Sequence, residues 1–171
     1  MQFARASILL TLAAMVSAAT IAQVKQDVAT IDADVKALQK SLASNSLNYF
    51  SALAIHQQAV TLDNAVKNAT SDANSLTVAV SSTDANALIT TLTGTEKNVS
   101  GVCDRLIALK GQFTSLGVAG IAKGDIAALQ NDTKLFGTAL VSKTPSAQKP
   151  AASSLAAKFN ADLARAAAAY A

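Results

Sequence analysis

Tryptophan is absent from this chain, and five Phe and two Tyr are its only aromatic residues. Burial must therefore come from many small aliphatic contacts rather than from a few large anchors. A single cysteine, Cys103, rules out an intrachain disulfide. A single histidine, His56, has no Cys or paired carboxylate at metal-ligand spacing beside it, which argues against a zinc site. Glu96 is the only Glu, and the Asp residues stand singly, so no carboxylate pair suited to acid–base catalysis can be named. With two Pro, a linker-separated second domain has no composition to support it. Lys residues are spread from Lys25 to Lys158 without a run, and few aromatics could stack on bases, so a net charge of +3 makes no nucleic-acid footprint. Outside the N-terminus no apolar run approaches the ~20 residues needed to span a bilayer. Gly117, Gly120 and Gly124 lack the Lys-Ser/Thr of a phosphate loop and read as a turn.

What is present begins with a leader. Arg5 supplies a positive n-region, Ile8 to Val16 an apolar h-region, and Val16-Ser17-Ala18-Ala19 a small-residue cleavage site. Residues 1–19 are thus expected to be a secretory signal peptide cut after Ala18 or Ala19, leaving one domain over residues 20–171. Its loss lowers the net charge to +2, from 13 Lys and Arg against 11 Asp and Glu. Export would expose three sequons, at Asn68, Asn98 and Asn131. Asn131 is the best placed of them, and Asn98, next to Val99, the worst.

The domain is organised around Ile21, Val24, Val28, Ile31, Val35, Leu38 and Leu42, which recur at spacings of three and four with polar residues, Ala or Thr between them. This is the narrow apolar seam of an amphipathic helix, and it needs partner helices. A second stripe from Ala52 to Val80 predicts a helix over about 47–80, with Phe50, Leu53 and Val60 widening its face. A hydroxyl N-cap signal at Ser81 to Asp84 opens a third stripe, from Ala85 through Val102 and Leu106 to Phe113. The glycine-marked segment 117–124 is expected to be the longest and loosest link, with a fourth helix restarting at Asp125 and carrying Ile126, Leu129, Thr133, Phe136 and Leu140. Pro145 and Pro150 mark a stop and restart before a fifth stripe of Ala152, Leu155, Phe159, Leu163, Ala166 and Tyr170. The expected architecture is all-α, an up-and-down bundle of about five amphipathic helices. Ile31, Val35, Leu62, Val66, Leu92, Val99, Leu106, Leu129, Phe136, Phe159 and Leu163 should be buried, with Leu106→Ala costing about 2 to 5 kcal/mol. Cys103, one step past the seam residue Val102, reads as a small buried hydrophobe, and His56 as a structural or solvent-edge residue.

The leader, the opening Ile21-x-x-Val24-x-x-x-Val28-x-x-Ile31, the Ser82-Thr83-Asp84 start and the segment from Asp125-Ile126-Ala127-Ala128-Leu129 to Lys143-Thr144-Pro145 are together similar to the fungal hydrophobic surface-binding protein A family. That family takes in cell wall galactomannoproteins. The resemblance covers about residues 20 to 165. It implies a secreted or wall-associated glycoprotein with no enzymatic activity and no cofactor, which adsorbs to hydrophobic surfaces or holds fatty acids. Some members are linked to recruiting lipid- or polyester-degrading enzymes, so a secreted hydrolase is an implied partner. No Ser/Thr-rich stalk or anchor signal is seen, which favours a freely secreted protein, and the bundle is expected to be monomeric or weakly associating. Two mechanisms follow for the apolar residues Phe50, Leu53, Val60, Phe113, Ile126, Leu129, Phe136, Phe159 and Leu163. In the first, the bundle opens at the glycine link and lays its seams on a surface. In the second, the broad second helix and the Phe residues line a cavity between helices that takes a lipid.

Overall fold

The computed structural model describes residues 19–171, so the leader expected over residues 1–19 lies outside the described residues except for Ala19. Five helices follow in order: α1 (Ile21–Leu42), α2 (Tyr49–Ser75), α3 (Ser82–Ser115), α4 (Ala119–Lys143) and α5 (Lys149–Ala169). Thr20 caps α1 by accepting from the Gln23 amide, and Asn48 and Ser51 form a reciprocal capping box at α2. Ser81 caps α3, with Asp84 in its first turn. Pro150 sits in the first turn of α5, where the amide it lacks would have had no partner.

The glycine segment departs from the expectation. Only Leu116, Gly117 and Val118 separate α3 from α4, which makes this the shortest link of the bundle, and Gly120 and Gly124 lie inside α4. Gly117, at φ 74°, ends α3 in a left-handed turn. Its amide reaches the Thr114 carbonyl at 3.0 Å and the Val118 amide reaches Phe113 at 2.9 Å, the two bonds of a Schellman motif. Val118 and Phe113 are both buried beside it. A tight, fully bonded turn is not a hinge, so the opening mechanism loses its motivating feature. Gly117→Ala should cost about 1 to 2 kcal/mol in urea unfolding. Nothing lies within 4 Å of an added Cβ there, so the whole cost would be backbone strain.

The order of helices around the bundle is set by cross-helix pairs. The Ala19 amide meets Ser75 Oγ at 3.3 Å, so α1 and α2 are antiparallel. Lys25 pairs with Asp84, Asp32 accepts from Thr95 at 2.8 Å, and Arg105 Nε donates to the Leu42 carbonyl at 2.9 Å, so α1 and α3 run parallel. His56–Asp125, Lys67–Asp132 and Lys143–Leu76 make α2 and α4 parallel, and Ser100–Asp162 with Leu106–Tyr170 do the same for α3 and α5. The helices alternate in direction along the chain. Around the bundle, however, they pack in the ring α1, α2, α4, α5, α3 and back to α1. Short links make packing neighbours of α1 with α2 and of α4 with α5 only: α2 and α3 share no face, and α3 and α4 touch little beyond their turn.

A ring of five cannot close on its own axis. With neighbouring axes about 8 to 10 Å apart, each lies roughly 8 Å from the centre, while a helix with its side chains reaches only about 5 to 6 Å. Large side chains could fill the difference, but the seams are Ala, Val and Leu. Of the eleven residues expected inside, Val99 and Phe159 are only half-buried, and the other nine are buried. Thr95 occupies a seam position without exposure because its hydroxyl donates to Asp32, which leaves no buried polar group unpaired there.

Candidate binding cavity

The axial gap is a cavity of about 130 Å³ to which all five helices contribute wall residues. Val24, Ile31 and Val35 come from α1, Ala59 and Leu62 from α2, Leu92 and Leu106 from α3, Ile126 and Phe136 from α4, and Leu155 and Leu163 from α5. Apolar cavities of comparable size, about 150 Å³, stay free of water and accept apolar guests, because water finds no hydrogen-bond partners in them. Tyr49, Leu53 and Ile121 also line the space, and they are 54%, 47% and 41% exposed, so it reaches the surface between the starts of α2 and α4. Phe50 extends this rim at 81% exposure and meets Tyr49 edge-on at 6.2 Å between ring centres. The rim is held in place from below. Arg105 Nη2 donates to the Ser44 carbonyl at 2.8 Å, and Gln112 accepts from the Leu47 amide and donates to the Asn45 carbonyl, both at 2.7 Å.

The residues singled out from the sequence separate into groups. Leu53, Phe113, Ile126, Leu129, Phe136, Phe159 and Leu163 are brought together on the cavity wall. Phe50 stands on the outer rim instead, and Val60 is half-buried elsewhere on α2 and does not reach the wall. Asn68 and Asn131 are exposed on their helices, and Asn98 is half-buried. Asn131 Nδ2 is engaged with Asp132 at 2.9 Å.

Two polar features on α2 and α4 were not legible in the sequence. His56 Nδ1 lies 2.9 Å from Asp125 on the cavity wall near the mouth. Burial raises the Asp125 carboxyl above the ordinary carboxylate range, and the hydrogen bond from His56 works against that. Farther along, Lys67 sits between the buried carboxylates Asp63 and Asp132, at 2.5 and 3.4 Å. Only the Asp63–Lys67 spacing of four could have signalled this network. Among the described residues no cluster of three metal-ligating side chains forms, and no helix is long and apolar enough to cross a membrane.

Cys103 is fully buried on the wall, and burial pushes its thiol up to about 12. It should ignore thiol reagents until the protein unfolds. Burial also raises the Tyr170 hydroxyl to about 12; this group donates to the Leu106 carbonyl at 2.8 Å. Between pH 9 and 12 the unfolded chain releases protons that the folded one keeps. Stability should therefore fall as pH rises through that window, by at most about 1.4 kcal/mol per pH unit for each group. Urea melts at pH 8 and pH 10 should show the loss, and Cys103→Ala should make it shallower.

The sequence profile described as hydrophobic surface binding protein A matches residues 21–142, from the first residue of α1 almost to the end of α4. The chain belongs to the hydrophobic surface binding protein A family. No curated protein matches the sequence. Among solved structures, this family member is similar to the AFMP4P protein in complex with palmitic acid: 26% identity, TM-score 0.84, covering 89% of this chain and 100% of that one. Ligand binding domain 1 of the Penicillium marneffei MP1 protein, complexed with arachidonic acids, has 20% identity and TM-score 0.80, covering 89% and 99%. Domain 2 of that protein, with multiple arachidonic acids, has 14% identity and TM-score 0.80, covering 89% and 96%. The two MP1 domains share the five-helix fold with this family member.

Proposed function

We propose that this protein is a secreted, non-catalytic carrier that holds the acyl chain of a long-chain lipid in the axial cavity of its helix ring. The observation that carries this reading is the cavity itself, which is lined mostly by apolar residues and reaches the surface between the starts of α2 and α4. The fatty acid bound in the similar AFMP4P protein supports it. Burying a methylene there is favourable by about 0.8 kcal/mol, so a long chain gains affinity from length alone, with no cofactor or reacting group required. Export rests on the leader at residues 1–19. Native mass spectrometry of the protein as purified from medium should find a bound mass of a few hundred daltons. Protein that leaves the cell empty and takes up no fatty acid on addition would overturn the carrier reading.

A second reading is adsorption to hydrophobic surfaces, favoured by the exposed rim of Tyr49, Phe50, Leu53 and Ile121 at the cavity mouth. It needs no opening of the bundle, because the patch is already formed. A secreted lipolytic or polyester-degrading enzyme would act on the surface so reached. Double replacement of Phe50 and Leu53 by Ser should weaken retention on hydrophobic beads. Unchanged retention would assign adsorption to another face.

A further inference from the structure

The charged groups on the cavity wall are not scattered. The carboxylate of Asp125, paired with His56, lies near the mouth formed by the starts of α2 and α4. At the other end, where α2 and α4 finish, stands Lys143, the one Lys or Arg on the wall. Its Nζ donates to the Leu76 carbonyl at 2.8 Å, and among the described residues it joins no salt bridge. An ammonium carries three N–H donors, so this bond leaves it able to donate to a second acceptor.

The backbone reinforces the same polarity. In an alternating bundle of five, helix dipoles cancel in pairs and one remains. The N-termini of α1, α3 and α5 lie at the Lys143 end, against the C-termini of α2 and α4. Each terminus carries about half a charge, so the sum leaves the Lys143 end positive and the mouth negative by roughly that amount. Low-dielectric walls between the ends let this difference act on a bound molecule with little screening.

We infer that the cavity is a polarised site for an anionic amphiphile, which places its carboxylate head at Lys143 and runs its acyl tail toward the mouth at Tyr49 and Ile121. The inference rests on the carrier reading and goes beyond it, since a carrier needs only apolar walls, whereas this arrangement selects an acid over a neutral lipid of the same length and gives it one direction. Asp125 at the mouth disfavours the reverse orientation by like-charge repulsion.

The test is calorimetric titration of delipidated protein with palmitic acid and with the alcohol of equal chain length, at pH 8. Wild type should bind the acid more tightly. Lys143→Gln should lose roughly tenfold in affinity for the acid, the loss expected for one charge-assisted hydrogen bond, and change little for the alcohol. Lys143→Arg should keep the preference, and thermal melts of both variants check that the bond to the end of α2 is not the cause. Equal losses for acid and alcohol, or no preference in wild type, would overturn the polarised site while leaving the carrier reading standing. If wild type binds neither ligand, the carrier reading falls and the polarised site falls with it.

Discussion

Ala59→Phe should abolish uptake of long-chain fatty acid while leaving the fold as stable as before or more so. Ala59 is a buried wall residue on α2, and the space beside it is empty rather than packed. A larger side chain in a filled core costs about 1 to 3 kcal/mol through strain. Here the ring enters a cavity and gains contacts. A lipid tail meets the opposite outcome, since every methylene kept out forfeits about 0.8 kcal/mol. Excluding five or six of them removes about 4 to 5 kcal/mol, on the order of a thousandfold in affinity. Thermal unfolding and fatty-acid titration of the same preparation check both halves. A variant that is destabilised and still binds lipid would show that the wall at Ala59 is packed and that the chain lies elsewhere.

Leu42→Ala should cost about 3 to 5 kcal/mol, and Leu106→Ala only about 2, although both remove the same atoms. Leu42 is fully buried at the end of α1, away from the cavity, with packed neighbours on every side that cannot all collapse into the hole left behind. Leu106 is 8% exposed and faces the axial cavity, so part of its surface has no partner atoms to lose. The 2 to 5 kcal/mol expected from the sequence for Leu106 thus narrows to its lower end. Urea unfolding of the two variants, with unchanged m-values, measures the difference. Filling the cavity with fatty acid should narrow the gap, because the ligand supplies Leu106 with the contacts that it lacks in the empty protein and so makes its loss more costly. Equal costs in empty protein would mean that the cavity closes in solution.

The five apolar stripes were readable because a helix repeats every 3.6 residues, so spacing alone states which face is buried. Six of the seven residues of the first seam, Val24 to Leu42, are the buried residues of α1. The breaks between stripes were readable in the same way, with one failure. The three glycines near residue 120 carry the composition of a loose link, but only Gly117 has the positive φ that requires glycine, and the other two are accommodated within α4. Which helix each buried face meets was not in the pattern, because periodicity gives an orientation and no partner. The parallel pairs α1 with α3 and α2 with α4 are set by groups about sixty residues or more apart in sequence, such as Lys25 with Asp84 and His56 with Asp125. The cavity is farther still from the sequence. The aliphatic residues that make up most of its wall read as ordinary core, and the void arises only because five helices of modest side chains close into a ring whose centre none of them can reach. The polarity of that void needs the fold as well: Asp125 and Lys143 stand near opposite ends of α4, and only packing into the ring puts both on the wall of one apolar space.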